Sequence, residues 1–361
     1  MSKTSEYVTL GHPDKVVDYI SEYCLDRIIE QDPNVRYAVE VQIKDNIVTY
    51  GGEITTSASL FFDKWIKEAV AEIGYTHEYA ERWDGQTLDA SKLKINGHIS
   101  TQSPDIEQGV DAGGWGDQGI FFGFHCGDTY TGDGWDYFLA KKLGQRLYYL
   151  AKDTNFNFGL DIKTQVNVSE RHSRPVVEKI IIAIPMINDC DEEKRDLAEY
   201  VDQFIEENAA LKSENFELVI NGTGRYFTHA SVGDCGTTGR KLVVDFYGGN
   251  SRVGGGSPWT KDGTKADLAL NIFAKDLARD YYIRHQTNVN IEHVETELSC
   301  EIGGTSVLAV IKAFDFNGNK IDQIEKKAEV TPEILIPKYR LNKPIYAEMC
   351  ERGLFQPTIF F

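Results

Sequence analysis

The sequence predicts an α+β protein built from three similar βαββαβ units, with the helices on one face of each sheet. Three observations predict it. Helix-like and strand-like hydrophobic periods alternate along all 361 residues. Most strands come in pairs joined by short polar turns, which favours helices packed on hairpins over a parallel α/β sheet. The order of elements recurs at a spacing of roughly 125 residues, the mark of an internal repeat.

The first unit, residues 1–103, carries a helix from Pro13 on which Val17, Ile20, Cys24 and Ile28 share a face; proline suits the first turn. Gln31-Asp32-Pro33-Asn34 ends it. Val35, Tyr37, Val39, Val41 and Ile43 then alternate as in a half-buried strand. Lys44-Asp45-Asn46 turns the chain, Ile47 to Glu53 returns, and Phe62, Ile66, Ala69 and Ile73 mark a second helix. The central unit, residues 112–232, repeats the order. It has a strand at Ile120–Cys126, a helix bearing Leu139, Leu143, Leu147 and Leu150, strands at Lys163–Val168 and Val176–Ile184, and a helix with Leu197, Tyr200, Val201 and Phe204. In the last unit, residues 233–361, Lys241–Tyr247 reads as a strand and Thr264–Tyr281 as a helix. Strands near Val289–Leu298 and Thr305–Ala313 and a weaker helix after Pro332 follow. The three units share element order but no residue-level identity, so pseudo-threefold packing competes with chance recurrence of a common motif.

Length fits two or three domains. Hydrophobic residues at 41% and charged residues at 26% are ordinary for a folded protein. No apolar run approaches the roughly 18–20 residues that span a bilayer, and residues 1–9 lack an apolar leader, so the expected compartment is the cytoplasm. The six cysteines are scattered without a CxxC pair, against a zinc site or disulfide framework. A net charge of −18 repels nucleic acid and anionic membranes, and neither is an expected partner. A basic cluster in such a chain needs a local cause.

Four glycine-containing segments carry charge near element ends. Gly11-His12-Pro13-Asp14-Lys15 puts an imidazole, a carboxylate and an amine at a helix N-terminus, which suits either a bound anion or plain capping. Gly116-Asp117-Gln118-Gly119 and Gly233-Asp234-Cys235-Gly236-Thr237-Thr238-Gly239-Arg240-Lys241 precede strands expected in the second and third units. Gly254-Gly255-Gly256 is followed by Lys261-Asp262-Gly263-Thr264-Lys265-Ala266-Asp267. A helix would set Lys261 and Lys265 on one face, where they repel unless solvated or bridged by an anion. Arg240, Lys241, Lys261 and Lys265 fall within 26 residues of a strongly acidic chain. Guanidinium forks and ammonium point charges both suit polyphosphate, and Asp14 and Asp267 supply carboxylates for Mg²⁺. There is no GxxxxGK[ST], no GxGxxG opening a helix after a strand, and no protein-kinase signature set. The residues alone lead to a metal-bound polyphosphate and no further.

The blocks GHPDK (11–15), YGGEITTSA (50–58), QSPDI (102–106), GDQG (116–119), DIKTQV (161–166), TGR (223–225), GDCGTTGRKLVVDFYGG (233–249) and GGG…KDGTKAD (254–267), in this order, resemble the S-adenosylmethionine synthetases. Weaker similarity continues at Lys343-Pro344-Ile345-Tyr346. The resemblance implies three interleaved α+β units and a homodimer or dimer of dimers with active sites between subunits. It implies attack of the L-methionine sulfur on C5′ of ATP, release of tripolyphosphate, and its hydrolysis to pyrophosphate and phosphate. A thioether needs no general base; the barrier lies in the charge gathering on the leaving group, which cations stabilise.

By position, the resemblance puts His12 near the breaking C5′–O bond and Lys163, Arg240, Lys241, Lys261 and Lys265 on the phosphates. Asp161, Arg225, Tyr226, Asp234 and Ser257 join the ATP site. Glu53 and Gln102 orient methionine, with Asp234 and Lys265 beside it. Asp14, and Asp267 as a second carboxylate, would hold Mg²⁺, two ions per site, and Glu40 a K⁺. The chain departs from the family in a shortened segment after Gln102 containing Gly113, Gly114 and Gly116. It departs again at Tyr226–Ser231, at Ile182–Met186 and after Tyr346. Two rival readings stay open: a non-catalytic ATP- and methionine-binding regulatory homologue, and a triphosphate-cleaving enzyme with another acceptor.

Overall fold

Apolar alternation in nine-residue stretches such as Arg36–Lys44 buries one face of each sheet, and that face needs a helix laid across it. The computed structural model describes residues 2–101, 113–153, 156–171, 174–188, 190–287 and 290–355. The elements are β1 (Lys3–Val8), α1 (Pro13–Ile29), β2 (Arg36–Lys44), β3 (Ile47–Thr55), α2 (Phe62–Ile73), α3 (His77–Arg82), β4 (Lys94–Ser100), β5 (Gly119–Cys126), α4 (Trp135–Lys152), β6 (Lys163–Arg171), β7 (Arg174–Ala183), α5 (Asp191–Glu207), β8 (Leu211–Ile220), α6 (Ala230–Gly233), β9 (Gly236–Thr237), α7 (Leu242–Asp245), α8 (Ala266–His285), β10 (His293–Cys300), β11 (Ser306–Phe314), β12 (Lys320–Glu329), α9 (Pro332–Lys338) and α10 (Tyr346–Arg352).

The strands form three four-stranded sheets, ordered β9-β2-β3-β4, β1-β6-β7-β8 and β5-β10-β11-β12. One long helix packs on the first two strands of each: α1 on β9 and β2, α4 on β1 and β6, α8 on β5 and β10. That equivalence is the threefold repeat in physical form. The chain is interleaved, because the first strand of every sheet comes from a distant part of the sequence. In two sheets a helical crossover precedes the fourth strand, which therefore runs parallel to the third (β3 with β4, β7 with β8). In the remaining sheet only the turn at residues 315–319 joins β11 to β12, and the pair is antiparallel.

The apolar cores of all three units merge into one cluster that includes Ile20, Ile66, Leu147, Leu160 and Leu270. Helix α1 lies at its centre: every residue except Arg27 is buried, so it is buried all round rather than amphipathic.

One expected strand is corrected. Within Lys241–Tyr247 the chain makes the short helix α7, not a strand. Its apolar residues Val244, Phe246 and Tyr247 are buried. Its backbone groups are satisfied locally and by Tyr137, whose hydroxyl donates to Val244 O at 2.6 Å. The strands β1, β4, β8 and β12 carry mixed polar sequences with at least half of their positions solvent-facing in β4 and β12, and so show no usable period.

Candidate active site

Three loops converge on the N-terminus of α1. The first is the lead-in to the helix. Thr9 N–H donates to Ile162 O at 3.0 Å and Ile162 N–H to Thr9 Oγ1 at 3.1 Å. Gly11 lies so close to the backbone of Leu160 that a Cβ there would be 2.3 Å from its carbonyl oxygen; only glycine fits. This contact locks His12 beside Asp161 in the lead-in to β6 and Lys163 at its start.

His12 is the N-cap residue, and its Nδ1 accepts the Asp14 N–H at 3.2 Å, with Pro13 in the first turn. The capping reading of this motif is therefore correct, and it has a chemical consequence. With Nδ1 used as an acceptor, the ring proton sits on Nε2. Burial, then the ammonium groups of Lys241 and Lys163, push the imidazole pKa down to about 3 against the pull of Asp14. His12 is a neutral donor at neutral pH.

The second loop, residues 234–241, crosses the same helix end. Gly236 packs on Pro13, where a Cβ would be 2.2 Å from Pro13 O. Thr237 N–H donates to Asp14 Oδ1 at 2.9 Å. Lys241 Nζ pairs with Asp14 Oδ2, and Arg240 Nη1 is 3.6 Å from Oδ1. Burial alone would raise the Asp14 pKa, but the Lys241 ammonium and the Thr237 amide hold it below the usual carboxylate range. Asp234 accepts the Cys235 N–H at 2.8 Å, and its charge is felt at both His12 and Asp161.

The third loop leads into α8. Lys261 Nζ pairs with Asp267 Oδ2 at 2.5 Å. Lys265 is the N-cap position of α8, and its ammonium makes no hydrogen bond or ion pair with the described residues. This corrects the expectation of two lysines on one helix face: Lys261 precedes the helix, bridged to Ala38 of β2, and Asp262-Gly263-Thr264 separates the pair. Ser257 Oγ accepts the Trp259 N–H at 3.2 Å, holding the approach to this loop. Glu40, on the exposed face of β2, ties the last two loops together, accepting from Thr260 Oγ1 at 3.0 Å and from Thr238 Oγ1.

At the far side, Asp161 is buried and accepts the Ala230 N–H at 2.9 Å. Burial lifts its pKa to about 6, opposed by Tyr226, Ala230 and Lys163. The Tyr226 hydroxyl donates to Asp161 O at 3.4 Å, and the Arg225 guanidinium stacks on Phe227 at 4.6 Å. Glu53 is exposed on β3 opposite Ala38, and its side chain has no partner among the described residues. Gln102 lies outside the described residues.

The sequence reading missed what stands behind these loops. Asp14, Asp18, Glu22 and Asp26 follow one another at i, i+4 along α1, and all four are buried. Together they fix three segments, Asp14 and Asp18 both holding the loop at residues 234–241. Asp18 accepts Gly239 N–H at 2.9 Å and Lys15 Nζ at 3.0 Å. Glu22 accepts Thr260 N–H at 2.5 Å. Asp26 accepts the amides of Tyr346 and Ala347 at 3.0 and 2.8 Å. Glu22 Oε2 has no hydrogen-bond partner among the described residues, and burial raises the pKa of this side chain well above the carboxylate range, which favours the protonated form. The spacing was visible in the sequence as four acids on one stripe of a helix otherwise rich in apolar residues.

The donor set suits hard cations. Among the described residues no three His, Cys, Asp or Glu side chains converge, but Mg²⁺ is commonly held by one or two carboxylates plus substrate phosphates. Asp14 and Asp267 are oxygen donors each paired with a lysine, Asp14 also with Arg240 and the Thr237 amide. No helix among the described residues is long and apolar enough to cross a membrane.

Comparison with known proteins agrees along the chain. The S-adenosylmethionine synthetase N-terminal, central and C-terminal domains match residues 1–104, 112–226 and 228–360. An S-adenosylmethionine synthase from Finegoldia magna is 33% identical over 98% of this chain and 93% of its own length. One from Brachyspira hyodysenteriae is 32% identical over 98% and 92%. The solved structure of an unusual S-adenosylmethionine synthetase from Campylobacter jejuni superposes with a TM-score of 0.84 at 28% identity, covering 98% of this chain and 94% of that one. The chain belongs to the S-adenosylmethionine synthetase family, the methionine adenosyltransferases.

Proposed function

We propose that the converging loops bind ATP and L-methionine and that the methionine sulfur displaces the whole triphosphate from C5′. The observation that carries this reading is the state of the charges. Lys241 is paired with Asp14 and Lys261 with Asp267, while Lys265 has no partner among the described residues and His12 is neutral with its donor proton on Nε2. Both halves of each pair suit a metal-bound triphosphate: the lysines would hold phosphate oxygens and the carboxylates would hold the metal. The cations are thus held in place before the substrate arrives, which is how preorganised electrostatics lowers a barrier.

In this reading His12 Nε2–H donates to the oxygen that leaves C5′. Lys163, Arg240, Lys241, Lys261 and Lys265 stabilise the growing charge on the triphosphate. Asp161 and Tyr226 hold the adenosine, with Arg225, Asp234 and Ser257 at its edge. Glu53 and Gln102 orient methionine, and Asp234 and Lys265 lie beside it, in a site formed between two copies of the chain. Mg²⁺ on Asp14 and Asp267 would neutralise phosphate charge, and K⁺ at Glu40 would stiffen the junction of the Thr238 and Thr260 loops. Nothing in the group acts as a base, and a thioether nucleophile needs none.

The test is an omission assay with purified protein, ATP, L-methionine, Mg²⁺ and K⁺, following S-adenosylmethionine by mass spectrometry. Product formed only when both substrates are present supports the reading. Phosphate without S-adenosylmethionine assigns the site to triphosphate cleavage or another acceptor. Binding of ATP with no product assigns it to a regulatory homologue.

A further inference from the structure

Away from these loops, a cavity of about 450 Å³ opens between α4, the segment after β5 and the turn after α7. Its volume is in the range of small-molecule sites. Aromatic rings wall it, among them Tyr137, Phe138, Phe246 and Phe355. Its charged lining is satisfied with one exception. Lys142 donates to Asn208 at 2.6 Å, Arg352 pairs with Glu348 at 3.1 Å, and Asp133 pairs with Lys275 at 3.4 Å. Asp245 pairs with Lys15 at 2.6 Å and accepts Trp259 Nε1–H at 2.8 Å.

Lys141 is the exception. It is partly buried, its Nζ stands 5.9 Å from the Tyr137 ring, and it has no hydrogen bond or ion pair with the described residues. Burial lowers its pKa, with Asp133 opposing, so the ammonium is held in a setting that favours an anionic partner. A cation without a hydrogen-bond or ion-pair partner among the described residues, beside aromatic walls, is the complement of a small aromatic anion.

We propose that this cavity binds a small aromatic carboxylate or phosphate, with its anionic group on Lys141 Nζ and its ring against Tyr137, Phe138 and Phe246. Asp245 lines the same cavity while holding Lys15 and Trp259, and Trp259 is two positions from Lys261. The occupant therefore touches the support of the candidate active site without entering it.

Phenyl phosphate is the probe, titrated calorimetrically into the full chain with and without saturating Mg·ATP. Expected is one site per chain, unchanged by Mg·ATP, weakened by about tenfold or more in Lys141→Met and restored in Lys141→Arg. Benzyl alcohol, with the ring and no charge, binds more weakly to the wild type, a comparison that stands even if Lys141→Met fails to fold. Equal affinity for benzyl alcohol, unchanged affinity in a folded Lys141→Met, displacement by Mg·ATP, or no binding at about 10 mM probe overturns the proposal. The Mg·ATP arm separates this cavity from the ATP site, so the result stands apart from the catalytic reading.

Discussion

Lys265→Ala isolates one proposed leaving-group contact from everything else the lysines do. Lys265 caps α8 with its backbone, and its ammonium pairs with nothing among the described residues. Its removal leaves no carboxylate orphaned, unlike loss of Lys261, which would strand Asp267, or of Lys241, which would strand one oxygen of Asp14. The stability cost is therefore small, within about 0.5 kcal/mol. The catalytic cost is not. Unit charges about 4 Å apart at a partly screened site interact by about 4 kcal/mol, and deleting one preorganised donor typically costs about 3 kcal/mol in the transition state. Turnover should fall by about 10² or more while the urea midpoint stays put. The assay is initial-rate S-adenosylmethionine formation at saturating ATP and methionine, beside urea unfolding of the same preparation. Unchanged turnover refutes the role given to Lys265. Loss of activity together with loss of stability refutes the claim that its side chain is structurally idle.

Asp14→Asn keeps an acceptor for Thr237 but removes the charge proposed to hold Mg²⁺, so the Mg²⁺ dependence of turnover should shift to markedly higher concentration; a titration overlaying the wild type assigns the metal elsewhere. Asp18→Ala leaves the Gly239 N–H without its acceptor and Lys15 with Asp245 alone, so urea unfolding should show a loss of about 3 kcal/mol, and turnover should drop as the Arg240-Lys241 loop slackens; full activity would show that the loop is held without Asp18. Asp26 has its pKa raised to about 7, chiefly by burial against the help of the Ala347 and Tyr346 amides. Between the ordinary aspartate value of about 3.9 and about 7, the folded chain therefore keeps a proton that the unfolded chain releases, and this group makes stability fall as pH rises through that window. Relative to wild type, Asp26→Asn should flatten that decline in urea midpoints; parallel curves refute it.

The parts of the fold legible in the sequence were those whose side chains report burial one position at a time. β2 alternates cleanly because one face is covered by α1, and α2 shows its stripe because only one side is buried. Residues 241–247 failed for the opposite reason. A run that is largely apolar says that it is buried, not which backbone buries it, and here the chain makes a single helical turn with Asp245 paired to Lys15. The polar strands β4 and β12 are held by their ladders to β3 and β11, a partnership no local window contains. The interleaving of sheets was invisible to periodicity for the same reason, and came only through the family resemblance.

The candidate site divides the same way. The charged residues stood out because glycine and charge together are conspicuous in an acidic chain. The helix-end geometry of Pro13 was also readable. What the sequence left hidden is pairing: that Lys241 rests on Asp14, that Lys261 rests on Asp267, and that His12 spends one nitrogen on a cap. The longest of these contacts, Lys241 on Asp14, joins residues 227 positions apart, and only the folded chain decides it. The acids at 14, 18, 22 and 26 were present as a pattern, but a carboxylate on a helix reads as solvent-facing until its burial is seen.

A single-turnover quench tests the central claim most directly: excess protein mixed with labelled ATP, methionine, Mg²⁺ and K⁺, with the products resolved in time. If sulfur displaces the intact triphosphate, S-adenosylmethionine and tripolyphosphate rise together, and phosphate and pyrophosphate follow. Phosphate or ADP appearing before any S-adenosylmethionine would contradict the account, because the cations around His12 would then be serving cleavage within the triphosphate rather than its departure from C5′.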